Sequence, residues 1–163
     1  MIDGDKESLG SLKAQGLALL RQHRLAEAKT LFSQLCEADP NDAEAWHLLS
    51  SLHGMLGNMA EAERCCLRVI ALQPNHGDAH LNLVNVLFYK GRPEEAIAHY
   101  QAALRINPRH PGALCCLGNV LASLGRHDDA AQNYQAALRL NPNLFEAYYN
   151  LGNSQLAQKR YDD

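Results

Sequence analysis

The chain has 163 residues, 47 % hydrophobic and 20 % charged, so it can bury a core without disulfide or metal staples. Fifteen Lys and Arg against 18 Asp and Glu, a net charge of −3, exclude the basic footprint of a nucleic-acid or anionic-membrane surface. No run of ~18 apolar residues is available to span a bilayer, and the opening Met1–Glu7 lacks the basic and apolar stretches of a secretory leader, so a cytoplasmic protein is expected.

After a lead-in over 1–8, prolines set a ruler. Pro40, Pro74, Pro108 and Pro142 stand 34 residues apart, in the similar settings Asp39-Pro40-Asn41, Gln73-Pro74-Asn75, Asn107-Pro108-Arg109 and Asn141-Pro142-Asn143. Twelve residues before each proline is an alanine (Ala28, Ala62, Ala96, Ala130), and eight before it Phe32, Cys66, Tyr100 or Tyr134. The units are therefore 9–42, 43–76, 77–110, 111–144 and a partial fifth, 145–163.

The first unit departs most from the others, with Gln15 where they carry leucine and His23 where they carry a turn glycine. These are the marks of an N-terminal cap with one face in water. In the second and fourth units Gly57 and Gly125 punctuate two helical stretches. The third shows the pattern in full. Leu81, Val84, Leu87 and Phe88 form one helical stripe, and Ala96, Tyr100, Ala103 and Leu104 a second. Between them, Gly91 ends one helix, while Pro93, Glu94 and Glu95 suit the first turn of the next. Each unit thus predicts two antiparallel helices closed by a proline, and units that bury their faces only by stacking form an all-α solenoid. The eighth place of a unit holds Gly16, Ser50, Val84, Gly118 and Gly152, and Val84 should push its pair slightly apart. The last unit predicts a helix over 145–158 whose Phe145, Tyr148, Tyr149, Leu151 and Leu156 are not a polar cap. The chain is accordingly expected to be a piece of a longer array, with self-association through that helix as a consequence.

With Leu12, Trp46, His80, Leu114 and Tyr148 at the fourth place and Leu49, Leu83, Leu117 and Leu151 at the seventh, residues 9–163 resemble the tetratricopeptide repeat, whose pattern is W-x-x-L-G-x-x-Y, then A-x-x-x-F, then P. The resemblance implies a right-handed superhelix of helix pairs that binds protein or peptide in a concave groove lined by the first helix of each pair. The carboxylate clamp of the family's chaperone cofactors does not carry over. Lys13 stands at one of its places, but Leu17, Leu48, Asp78 and Asn82 replace the asparagines and bases it needs.

The groove offers amide instead. Asn82, Asn85, Asn119, Asn150 and Asn153 fall at the sixth and ninth places of successive units, interrupted by Cys116. Side-chain amides both donate and accept, so they can pair with a peptide backbone without reading its side chains. In this the chain partly resembles the asparagine ladder in the superhelix of O-linked N-acetylglucosamine transferases. The other reading has the same asparagines bridging neighbouring helices. His47 and Ser51 at the fifth and ninth places, with Phe88 and Tyr89 as apolar anchors, complete the candidate peptide-binding set.

No catalytic residue is assigned. Histidines 23, 47, 53, 76, 80, 99, 110 and 127 are scattered, and no H-E-x-x-H, G-x-S-x-G or phosphate-loop motif occurs. Cys36, Cys65, Cys66, Cys115 and Cys116 read as small buried hydrophobes in a reducing compartment, against a metal site built on Cys115, Cys116 and His110. No cofactor is called for. The expected function is a protein-interaction scaffold, and the alternative is the substrate-recognition part of a larger enzyme such as a glycosyltransferase.

Overall fold

The computed structural model describes residues 2–161, with side chains from 8 to 158. Among the described residues there are nine α-helices and no strand: α1 Ile2–Arg21, α2 Leu25–Ala38, α3 Ala43–Met55, α4 Met59–Leu72, α5 Gly77–Tyr89, α6 Pro93–Ile106, α7 Pro111–Ser123, α8 His127–Leu140 and α9 Phe145–Tyr161. Helix α1 starts at Ile2, so the backbone of the lead-in is continuous with the first repeat.

The two kinds of turn follow from the sequence. Inside a unit the chain reverses through Gly57, Gly91 and Gly125 at φ +76°, +68° and +75°, a left-handed conformation that costs glycine nothing. His23 takes the same conformation at φ +57°, which a side chain makes unfavourable. Between units the residue before the proline closes the turn in three cases. Asp39, Asn107 and Asn141 accept at Oδ1 from the backbone N–H two residues on, at 3.0, 3.2 and 3.1 Å. The next helix is then capped. Asp42 accepts from the Ala45 N–H at 2.9 Å, and His76 and His110, at the equivalent places, accept through Nδ1 from Ala79 and Ala113 at 3.2 and 3.0 Å.

The fourth place of a unit secures this turn from the other side. Trp46 donates Nε1–H to the Pro40 carbonyl at 3.0 Å, and in the next unit His80 Nε2 meets the Pro74 carbonyl at 3.1 Å. The periodic alanines Ala28, Ala62, Ala96 and Ala130 are all fully buried, as are Phe32, Cys66 and Tyr134.

The chain divides into two compact units, Met1–Lys90 and Gly91–Asp163. In the first, α1 packs on α2, α2 on α3, α3 on α4 and α4 on α5, with α3 touching α5. Its core joins Phe32, Leu35, Leu49, Leu52 and Cys65. In the second, α6 packs on α7, α7 on α8 and α8 on α9, with α7 touching α9. The division falls in the turn of the third repeat, so α5, which carries Val84, and α6 belong to different units.

Candidate functional site

Each unit carries a face built on the first helices of its repeats, and each face holds a cavity. In the first unit Ser50, Ser51, Gly54 and Met55 of α3, Met59 and Cys66 of α4, and Asn82, Asn85, Val86 and Tyr89 of α5 enclose about 360 Å³. In the second unit Asn119 and Ala122 of α7, His127 and Tyr134 of α8, and Asn150, Asn153 and Ser154 of α9 enclose about 290 Å³.

All five predicted asparagines line these two cavities, but they are engaged differently. Asn82 donates Nδ2–H to Ser51 Oγ at 3.1 Å, bridging α5 to α3. Asn119 makes three bonds: its Oδ1 accepts from Tyr134 Oη and from Asn150 Nδ2, both at 2.8 Å, and its own Nδ2 donates to Glu146 at 2.9 Å. These three residues therefore bridge neighbouring helices, the role that the sequence left open beside peptide contact. Asn85 and Asn153 are exposed and, among the described residues, have no hydrogen-bond partner. Both stand at the ninth place, as Asn119 does, but unlike it they face outward with donor and acceptor free.

Around Asn85 the aromatics are available. Phe88 is 59 % and Tyr89 78 % exposed, and Tyr89 lines the cavity mouth. Ser51 is half-buried, donating to the His47 carbonyl at 3.2 Å while accepting from Asn82. His47 lies outside the cavity, its ring 4.7 Å from that of His76 and its buried Nδ1 without a partner. Burial, with the neighbouring His76, holds its pKa below the ordinary imidazole value. Lys13 is likewise not a free clamp residue, being paired with Asp42 at 3.0 Å and Glu44 at 2.6 Å.

The cysteines need one correction. Cys36, Cys65, Cys66 and Cys115 are buried, but Cys116 is exposed, with its thiol hydrogen-bonded to Tyr100. Burial pushes Cys36 and Cys65 up to about 12 and Cys115 up to about 11, which keeps these thiols protonated and poorly nucleophilic.

Sequence reasoning missed two contributors to the cavities, Met59 and His127. Met59 supplies apolar wall in the first, and His127, which leaves a buried Nδ1 unpartnered, supplies polar wall in the second. Their signal was present but unread: Met59 and His127 hold the same place in repeats two units of 34 residues apart.

Helix pairs of fixed length, turned by left-handed residues and closed by prolines, define a helical-repeat protein of the solenoid class. Models of the repeat identify it further. One described as tetratricopeptide repeat matches 19–87 and another, TPR repeat, matches 85–125 and 118–159, so that together they span most of the chain. The chain belongs to the tetratricopeptide-repeat family. Among solved structures it is similar to the MamA protein, at 22 % identity and a TM-score of 0.90 over 96 % of this chain and 86 % of that one. MamA 41-end from Desulfovibrio magneticus RS-1 is 20 % identical, with a TM-score of 0.86 over 93 % of this chain and 85 % of that one. YrrB, described as a TPR protein with an unusual peptide-binding site, is 19 % identical, with a TM-score of 0.84 over 98 % and 86 %. At these identities the likeness is one of fold. No curated protein sequence matches the chain. Nothing among these findings favours the enzyme-domain alternative.

Proposed function

We propose that this chain is a non-catalytic interaction module that holds an extended peptide, or a partner helix, of another protein against the faces of its first helices. The observation that carries this reading is the pair of outward amides, Asn85 and Asn153, each beside a cavity and neither spent on the fold. An amide in that state can accept one peptide N–H and donate to one peptide carbonyl. Phe88 and Tyr89 add exposed aromatic surface next to the first of them. The peptide-binding site of YrrB lends support from the same fold.

Asn82, Asn119 and Asn150, with Ser51 and His47, serve this site from behind by fixing the helices that present it. The ligand is a protein and not a nucleic acid, given the net charge of −3, and the module acts in the cytoplasm. No helix among the described residues is long and apolar enough to cross a membrane. A second contact is self-association through α9, favoured by the exposure of Phe145 (84 %), Tyr149 (71 %) and Leu156 (63 %).

The test is a peptide-array screen of the purified chain beside Asn85→Ala/Asn153→Ala. The double variant should fold and melt as the parent does while losing at least about tenfold in affinity, the cost of one or two backbone hydrogen bonds. Because neither cavity is lined by an acid, lysine or arginine, affinity should change by less than about threefold between low and high salt. Unchanged binding by the double variant, or a steep salt slope, places the ligand on another surface.

A further inference from the structure

The amides of the proposed site grip a backbone and are blind to sequence, but the cavity beside Asn85 is not. Its polar floor is partly engaged from within. Ser50 and Ser51 both donate to the His47 carbonyl, at 2.7 and 3.2 Å, and Asn82 donates to Ser51. What remains to face a ligand is Gly54, Met55, Met59, Val86 and Tyr89, with the free amide of Asn85 alongside. No acid, lysine, arginine or histidine lines it. A charged side chain entering would lose its water and find no counter-charge. The volume, about 360 Å³, far exceeds the ~30 Å³ of one water and sits at the lower edge of the ~300–1,000 Å³ of small-molecule sites.

We infer that this cavity is a specificity pocket that admits one long apolar side chain of the bound peptide, of leucine, methionine or phenylalanine size, while Asn85 pairs with the adjoining peptide bond. Two unbranched thioethers make its walls adaptable within that class. Alanine is too short to reach the floor, and lysine and aspartate carry charge into it. The inference rests on the peptide-binding reading and adds to it a rule for which peptides bind.

Gly54 supplies the decisive variant. A Cβ built on it meets nothing within 4 Å, and its backbone is ordinary helix, so Gly54→Leu starts a side chain into the open space that Gly54 lines. Met55 is 64 % exposed, so Met55→Gln removes apolar wall at little risk to folding. The probes are blocked peptides Gly-Ser-X-Ser-Gly, with X as leucine, methionine, phenylalanine, alanine, lysine or aspartate. Methionine-methyl NMR reads the pocket through Met55 and Met59, and side-chain amide NMR reads Asn85.

Leucine, methionine and phenylalanine peptides should move both methyls and bind at least about tenfold more tightly than the alanine peptide, the scale of burying one such side chain. Lysine and aspartate peptides should bind no better than alanine. Gly54→Leu should erase the preference, and Met55→Gln should reduce it. If every peptide moves the Asn85 amide with equal affinity, or if the preference survives Gly54→Leu, the pocket is overturned and backbone binding stands. If no peptide moves either probe, both fall.

Discussion

The two cavities share seven places of the repeat and differ in chemistry. Ser51, Gly54, Met59, Cys66, Asn82, Asn85 and Val86 in the first correspond to Asn119, Ala122, His127, Tyr134, Asn150, Asn153 and Ser154 in the second. The asparagines of the following unit are common to both. Five of the seven pairs differ, Ser51 to Asn119, Gly54 to Ala122, Met59 to His127, Cys66 to Tyr134 and Val86 to Ser154, and the last three replace apolar by polar side chains. Tyr134 and Asn150 both donate to the Asn119 carbonyl oxygen, so a bonded network joins the walls of the second cavity, where the corresponding bond in the first is Asn82 to Ser51. The period thus decides where a cavity forms, and a few side chains decide what it accepts.

The largest expected effect comes from the glycine that makes room for Tyr134. A Cβ at Gly118 would lie 2.6 Å from the Tyr134 ring, and one at Gly16 2.9 Å from Phe32. Aromatic residues eight before the proline are thus coupled, in these two repeats, to glycine at the eighth place. In the second repeat Ser50 faces the smaller Cys66, whose thiol it contacts. Gly118→Ala should therefore cost about 1–3 kcal/mol in denaturant unfolding, since a rigid ring must move and the core has no slack. A loss within experimental error would mean that α7 and α8 can part without penalty.

Next in size is Asn119→Ala. It strands the Tyr134 hydroxyl, whose pKa burial has already pushed up to about 12, and it frees Asn150 and Glu146. A loss of about 1–2 kcal/mol is expected from the unpaired buried donor. Asn85→Ala and Asn153→Ala should stay within about 0.5 kcal/mol of the parent, as exposed positions do. Equal losses at all three would erase the distinction between structural and ligand-facing asparagines.

That distinction marks how far the sequence could be read. The prolines and turn glycines gave the helix ends because each acts through its own backbone, and even His23 at a glycine place proved left-handed. The spacing of the asparagines was equally plain, and all five reach the cavities. Which of them are spent was not plain. Their partners Ser51, Tyr134 and Glu146 stand 31, 15 and 27 residues away, and only packing brings them together. Histidine hid its roles for another reason. His76 and His110 share one place in adjacent units and read as satisfied or solvated side chains; they are satisfied, capping helices where the second repeat uses Asp42, and His80 takes the post of Trp46 at the proline carbonyl. A single histidine serves as acceptor or donor, so its residue type does not announce which.

A smaller effect of opposite sign sharpens the contrast between the glycines. Gly54→Ala adds a methyl to open space in the last turn of α3 and should stabilise the chain by up to about 0.5 kcal/mol through helix propensity alone. The same substitution is thus expected to raise the unfolding midpoint beside the first cavity and to lower it beside the second. If Gly54→Ala destabilises, the space over it is already occupied, and the first cavity is not open.

The smallest expected effect is one of acidity, and it falls on α3, the helix that walls the apolar cavity. Burial lowers the pKa of His47 and His53 below the ordinary 6.5, with His76 reinforcing the shift at the first and Lys29 and Arg64 at the second, while Asp78, Glu44 and Glu61 oppose it. Each imidazole is then neutral in the fold at a pH where the unfolded chain already binds a proton. Stability from this source is whole above 6.5 and declines as the pH falls from there toward the folded pKa. The urea midpoint should accordingly drop between about pH 7.5 and pH 5.5, and drop less in His47→Gln/His53→Gln. The glutamines keep polar atoms in place but cannot titrate, so the difference between the two proteins isolates these imidazoles from every carboxylate in the chain. Parallel loss in both would assign the acid sensitivity elsewhere and leave α3 as firm at low pH as at neutral.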